Sequence, residues 1–135
     1  AIGVAQMERW DELTQARKLV AYQYDQRLKL LFENGMLQRR PVAHWARECC
    51  WLYTIHSEQR QLYLDNLHGA GIDARAVWPM LPDNPPYADS VGEWPVAKKV
   101  AAGGFCLPTW AHMPESIIDE ICEVIHATIS ELEPV

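Results

Sequence analysis

Few residues of this 135-residue chain have the types and spacing that covalent chemistry needs. Lys98 and Lys99 are the candidates for a Schiff base, because a lysine amine attacks carbonyls once burial or a nearby cation lowers its pKa. Both lie on a short segment that Pro95 opens and Gly103-Gly104 closes, and this segment is predicted to be an exposed helix. The pattern therefore favours a solvated surface over catalysis.

Three other residues, His44, Cys49 and Cys50, could be metal ligands. Zinc sites usually place paired ligands about two to four residues apart, and adjacent cysteines do not fit that spacing. Adjacent cysteines also bridge to each other with difficulty, so we expect Cys49, Cys50, Cys106 and Cys122 to be buried free thiols of an intracellular protein. The sequence thus predicts no metal site.

The candidates for ligand binding are an arginine and nearby aromatic residues. Arg75 could hold a diphosphate or a carboxylate through two hydrogen bonds, or it could form a surface salt bridge. Trp78 and Tyr87 could line a cleft beside it. Packing in the core and sheet is the simpler interpretation of the aromatic residues in this part of the chain, which are Trp45, Trp51, Tyr53, Trp78, Trp94 and Trp110.

Composition excludes several classes of protein. The chain is 49% hydrophobic and 22% charged, which is typical of a globular domain. Its net charge is −6 and its basic residues cluster only in pairs, so nucleic acid is not expected as a partner. No apolar stretch is long enough to cross a bilayer, and no secretion signal opens the chain, so we expect a cytoplasmic protein.

The elements that must position these residues begin with a long helix. Residues 2–33 have a helical period without an interrupting proline, and Asn34-Gly35 should end the helix. Such a helix has more surface than a small domain can cover. We therefore expect Met7, Trp10, Leu13 and Leu19 to pack against something outside the chain, most simply a second copy in a two-fold dimer.

Shorter elements follow this helix. Alternation over 48–56 predicts a central strand with Cys49, Trp51, Tyr53 and Ile55 on one face. The remaining predictions are a helix over 58–68 capped by Ser57, strands over 72–78 and 105–107, a proline loop over 79–86, a helix over 95–102, and a final helix with an isoleucine stripe (Ile117, Ile121, Ile125, Ile129). This order predicts an α+β domain with a small, mainly antiparallel sheet.

Eight segments together resemble one family, in collinear order over nearly the whole chain. They include Ala1-Ile2-Gly3-Val4-Ala5-Gln6, similar to A-x-G-x-A-Q, and Gly71-Ile72-Asp73-Ala74-Arg75, similar to G-I-x-x-R. Further matches are Trp78-Pro79-Met80, Pro85-Pro86-Tyr87, Gly104-Phe105-Cys106-Leu107-Pro108 and the closing helix that starts at Pro114-Glu115. The pattern resembles the DegT/DnrJ/EryC1/StrS family of nucleotide-sugar aminotransferases, which use pyridoxal phosphate (PLP).

This resemblance implies that residues 1–135 form the small C-terminal domain of a fold-type I aminotransferase. The family's catalytic lysine, phosphate-binding residues and pyridinium carboxylate belong to a preceding large domain, so we expect that domain to be absent and this chain to bind no cofactor. Ala1-Ile2-Gly3 opens without a methionine, and we expect a start in mid-fold.

The resemblance also implies a binding site and an activity. Family members make amino-dideoxysugars, such as perosamine, for surface polysaccharides, and Arg75, Trp78, Met80 and Tyr87 would contact the nucleotide sugar. Leu81 replaces a histidine that lies near the sugar in the family. Two hypotheses remain: a partial sugar aminotransferase that is not catalytic alone, and a free-standing interaction or ligand-binding module derived from that domain.

Overall fold

Three successive helices open the computed structural model, which describes residues 1–88 and 92–132. They are α1 (Ile2–Glu8), α2 (Trp10–Arg27) and α3 (Lys29–Glu33). The predicted single helix is therefore interrupted at Arg9 and Leu28, where the backbone turns to ψ 10 and 5. Its predicted end is confirmed, because Gly35 adopts φ +74 directly after α3.

The remaining elements alternate short strands with helices. They are β1 (Gln38–Arg39), β2 (Tyr53–His56), α4 (Arg60–Gly69), β3 (Arg75–Ala76), two 3-10 turns (Leu81–Asp83 and Pro85–Tyr87), α5 (Pro95–Gly103), β4 (Gly104–Leu107) and α6 (Glu115–Leu132). The α+β class is confirmed. No helix of the described residues is long and apolar enough to cross a membrane.

The four strands form one antiparallel sheet in the order β1-β2-β4-β3. Strand β2 is central, as predicted. Helices pack on the sheet through aromatic pairs: the rings of Tyr24 and Tyr53 stack at 4.7 Å, and those of Tyr63 and Phe105 at 5.6 Å. Helix α6 packs against α2 and α4 and closes a single core.

The long strand predicted over 48–56 is wrong in its first five residues. Cys50 has φ +52, in the left-handed region that strands do not use, so regular pairing begins only at Tyr53. Tyr53 and Ile55 share one face as predicted, and that face is buried in the core. Cys49 and Trp51 do not share that face and are exposed, so the burial expected of all four cysteines is wrong for Cys49.

Other element bounds also differ from the prediction. Strand β1 consists of two polar residues and was not predicted. The strand predicted over 72–78 is reduced to β3, because Ala74 N–H donates to Ile72 O in a tight turn just before it. Helix α4 starts two residues later than predicted, since the Ser57 hydroxyl accepts the Gln59 N–H in a preceding turn.

The core-packing interpretation is confirmed for Tyr53, which is 1% exposed, and wrong for the five tryptophans to which it was applied. Those five and Trp10, whose exposure was predicted, are all at least 40% exposed: Trp10, Trp45, Trp51, Trp78, Trp94 and Trp110. The core is instead built from aliphatic residues, tyrosines and Phe105. In α6, Ile118 rather than Ile117 completes the fully buried stripe, at the spacing of three and four residues typical of an amphipathic helix.

Candidate functional site

Two of the predicted contact residues, Arg75 and Trp78, line one cavity of about 350 Å3 at the β3 edge of the sheet. We call it the indole cavity, and its other walls include Trp51, Asp73, Cys106 and Thr109. The indoles of Trp51 and Trp78 are nearly parallel, with centroids 6.5 Å apart and planes inclined by 21°. Both indoles therefore present aromatic surface to the lining of this cavity.

Arg75 is engaged in the surface salt bridge that was one of its two predicted roles. Its Nε and Nη2 donate to the two carboxylate oxygens of Asp73 at 3.1 and 2.7 Å. This pairing lowers the pKa of Asp73 and raises that of Arg75, chiefly through the hydrogen bonds. A guanidinium carries five N–H donors, so Arg75 keeps donors for a second anion in the cavity.

Met80 and Tyr87, the other two predicted contact residues, lie in a different cavity of about 360 Å3. We call it the loop cavity; the two 3-10 turns and α5 form it, with Leu81, Pro82, Trp94 and Ala97 completing its walls. Its lining is almost entirely apolar. Leu81 also lines it and is 69% exposed. Tyr87 therefore does not line the cavity of Arg75 and Trp78.

A third cavity, of about 470 Å3, lies between the first two helices and Trp51. We call it the helix cavity, and Met7, Trp10, Leu13, Arg17 and Cys49 belong to it. Met7, Trp10 and Leu19 are exposed, as predicted, whereas Leu13 is partly buried. Helix α1 contributes no buried residue.

A polar cluster holds the segment before Trp51 against the domain. Asp25 Oδ1 accepts hydrogen bonds from the Tyr53 hydroxyl at 2.6 Å and from Arg39 Nε at 2.8 Å. Arg39 also lies 4.4 Å above the Tyr53 ring, and Glu48 binds both Arg39 and Arg40. Burial, followed by the bond to Asp25, raises the pKa of Tyr53. The cluster therefore ties residues 40–52 to α2 and the sheet.

The described residues do not fit PLP. A lysine that forms a Schiff base is activated by burial or by a nearby cation, but none of the chain's four lysines is buried, and Lys98 and Lys99 are both exposed on α5. No group of three potential ligands could hold a metal among the described residues. His44 is exposed, Cys49 lines the helix cavity and Cys50 packs against the core.

Sequence reasoning missed one residue of this region, Trp51. Its alternation with Tyr53 and Ile55 pointed to the core, and only the left-handed Cys50 turns it out of the strand. A non-glycine residue in that conformation leaves no reliable signal in a single sequence. The same turn explains why Trp51 borders both the indole and the helix cavities.

Comparison with known proteins gives one family for this architecture. The sequence profile of the DegT/DnrJ/EryC1/StrS aminotransferase family matches residues 1–126. The chain is similar to GDP-perosamine synthase of Caulobacter vibrioides, with 33% identity over 127 residues. That match covers 90% of this chain and 34% of the relative, so the chain spans about a third of the relative's length.

Solved structures show the same fold. Aminotransferase TlmJ from Streptoalloteichus hindustanus superposes with a TM-score of 0.86 at 22% identity, over 97% of this chain and 36% of that one. Helicobacter pylori PseC, an aminotransferase involved in the biosynthesis of pseudoaminic acid, gives a TM-score of 0.82 at 21% identity, over 96% and 36%. At these identities the likeness concerns the fold alone.

Proposed function

We propose, because the chain belongs to the DegT/DnrJ/EryC1/StrS aminotransferase family, that it is the small domain of a PLP-dependent nucleotide-sugar aminotransferase. The observation that carries this proposal is a match through residues 1–126 to proteins about three times as long. The complete enzyme would form an amino-dideoxysugar for surface polysaccharide in the cytoplasm. The 135-residue chain would not catalyse this reaction alone.

Catalysis would need a cofactor-binding domain. PLP, when bound, acts as the electron sink of amino-group transfer. The lysines of this chain, none of them buried, do not suit that cofactor, so its binding would fall to the large domain that precedes this region in the family. The task of the present residues is then to bind and orient the nucleotide sugar and to close the site against water.

Two regions would share that task. Arg75, through the donors that Asp73 leaves unused, would bind a phosphate of the nucleotide sugar, with Trp78 beside it. Met80 and Tyr87 would contact the sugar from the loop cavity, whose apolar lining suits a deoxygenated ring. Leu81, in place of the family's histidine, would contribute apolar contact instead of a hydrogen bond.

The exposed apolar surface supports the proposal that a partner packs against this chain. Ile2, Val4, Met7 and Trp10 are all more than half exposed on a helical arm, α1 and the start of α2, that buries nothing up to Trp10. Contiguous apolar patches of this kind are uncommon on monomers. The large domain or a second copy of this chain would cover them in the working enzyme.

A chimera tests the function. We would replace the matching third of the Caulobacter vibrioides GDP-perosamine synthase with this chain and measure glutamate-dependent amination of a 4-keto-6-deoxy sugar nucleotide. We expect turnover by the chimera and none by the 135-residue chain with added PLP. In the chimera, Arg75→Ala should raise KM about tenfold, because a charge-assisted phosphate contact is lost. Arg47→Ala, at an exposed arginine outside the three cavities, should not.

Two results would contradict the proposal. One is a chimera that folds and binds PLP but transfers no amino group. The other is a borohydride-reducible PLP adduct at one lysine of the isolated chain, which would place cofactor chemistry in this domain.

A second candidate, a free-standing interaction module, is favoured by the same exposed helical arm. In that case the fold would have lost its sugar site. The module would then bind a partner through α1 without any dependence on Arg75, and the chimera would stay inactive.

A further inference from the structure

Trp51 occupies an unusual place for a residue next to a central strand. The left-handed Cys50 turns the chain just before it, and β2 starts two residues later. Trp51 is therefore 62% exposed, and Trp78, which follows β3 at the far edge of the sheet, is 68% exposed. Trp51 and Trp78 are 27 positions apart in the sequence. Their indole planes are nevertheless nearly parallel, and the ring centroids are 6.5 Å apart.

The backbone of Trp51 is held from a third element. Arg17, on α2, donates from Nη1 to the Trp51 carbonyl oxygen at 3.3 Å. Because this hydrogen bond is made to the backbone, it holds the main chain of Trp51 in place and does not involve the indole ring. Arg17 also lines the helix cavity, which Trp51 borders as well.

We propose that Trp51 and Trp78 together form a stacking wall for the nucleobase of the sugar nucleotide, and that Arg17 is the positioning residue of Trp51. The inference rests on the proposed function and adds the part of the substrate that the indole cavity takes. Exposed indole faces stack on any heteroaromatic ring, largely without regard to its identity. Arg75 lines the same cavity and would bind the phosphate that the ribose carries.

The size of the indole cavity agrees with a base rather than a whole substrate. Its volume of about 350 Å3 is near the lower end of the ~300–1,000 Å3 found for ligand sites. A base with its ribose fits that space, and the remaining sugar needs another one. The loop cavity, of about 360 Å3, supplies a separate space of similar size.

Titration of the 135-residue chain with GDP, guanosine and ribose 5-phosphate, followed by calorimetry, tests the inference directly. We expect GDP to bind, guanosine to bind more weakly, and ribose 5-phosphate to lose most of the affinity because it has no base. Trp51→Ala should weaken GDP binding at least about fivefold, as loss of one base–aromatic stack does. The matched control is Trp45→Ala, at a tryptophan that is 78% exposed and outside the three cavities.

Arg17 gives a second, independent readout. Arg17→Ala should weaken GDP binding although Trp51 is present, and Arg17→Lys, which retains a donor, should restore part of it. Circular dichroism checks that each variant is folded. The stacking wall would be refuted if Trp51→Ala bound GDP as tightly as the wild type does. It would also be refuted if the wild type bound GDP no more tightly than ribose 5-phosphate, or if it bound no GDP at millimolar concentration.

The chimera separates this inference from the function on which it rests. If the wild-type chimera turns over and the Trp51→Ala chimera has an unchanged KM, the stacking wall is wrong and the proposed function stands. If the wild-type chimera folds and does not turn over, the proposed function itself fails. The expected result is a raised KM with little change in kcat for the Trp51→Ala chimera.

Discussion

Replacing Asp25 with alanine should cost this domain a measurable part of its stability, because one carboxylate oxygen serves two partners. Asp25 Oδ1 accepts from the Tyr53 hydroxyl at 2.6 Å and from Arg39 Nε at 2.8 Å. Both donors are largely buried, and Tyr53 is only 1% exposed. The substitution would leave a buried hydroxyl without its acceptor and remove one of the two carboxylates on Arg39.

The magnitude follows from the environment of each bond. A hydrogen bond to a charged group contributes about 1.5–3 kcal/mol when buried, so two such bonds set an upper limit of roughly 3–6 kcal/mol. Solvent reduces this figure, because the Asp25 side chain is 39% exposed. Arg39 also keeps Glu48 and the face of the Tyr53 ring. We therefore expect a loss of about 2 kcal/mol in the free energy of unfolding.

Urea unfolding followed by circular dichroism measures this loss. In thermal unfolding, the same loss of free energy would lower Tm by roughly 8 °C for a domain of this size. Asp65→Ala is the matched control, since Asp65 is an exposed helical aspartate that accepts a hydrogen bond from the Gln61 side chain. It should change stability by no more than about 0.5 kcal/mol.

A double-mutant cycle with Tyr53→Phe isolates the shared bond. The coupling energy between positions 25 and 53 should be about 1 kcal/mol. If Asp25→Ala and Asp65→Ala have the same small effect, the cluster does not stabilise the fold. The attachment of residues 40–52 through Asp25 would then be refuted as well.

Three further expectations concern the whole chain. Burial raises the pKa of Tyr53 above its ordinary value and that of Cys122 to about 12. Above about pH 9–10 the unfolded chain therefore loses protons that the folded chain keeps. Stability should then fall as pH rises, and a urea midpoint that stays flat from pH 9 to 11 would contradict this. The exposed Cys49 should react with a thiol reagent first, and the buried Cys122 should react only when the protein unfolds. Mass spectrometry of freshly purified protein should detect no disulfide. The isolated chain should also form a dimer at micromolar concentration, and Trp10→Glu should disrupt it. If sedimentation equilibrium instead gives a monomer, and protease cleaves it before Leu13, the N-terminal helical turns fray and the dimer is refuted.

The sequence was sufficient where short-range rules decide the structure. The isoleucine spacing of α6 predicted an amphipathic helix, and Asn34-Gly35 predicted the end of α3, because both signals depend on local geometry alone. The short β1 was out of reach, since two polar residues carry no alternation. Its pairing with β2 is decided by contacts distant in the chain.

The candidate site was predicted in part for the same reason. Arg75 and Trp78 are three residues apart at the end of β3, so they had to lie close together, and they share a cavity. Tyr87 ends the second of the two 3-10 turns, whose directions the prolines alone do not specify, and it lies in the loop cavity with Met80. Whether these four residues contact a nucleotide sugar remains a prediction for the chimera to test.

The exposure of all six tryptophans makes the chain's own fluorescence a reporter of association rather than of folding. Four of them, Trp10, Trp45, Trp51 and Trp78, are more than half exposed and should emit at long wavelength in the native state, so unfolding should move the emission maximum only slightly. A partner that covers Trp10 or Trp51 would transfer them to apolar surroundings and shift the emission to shorter wavelength. Unlabelled protein could thus be titrated with a candidate large domain, and the amplitude of the blue shift would report how much of this indole-rich surface becomes buried.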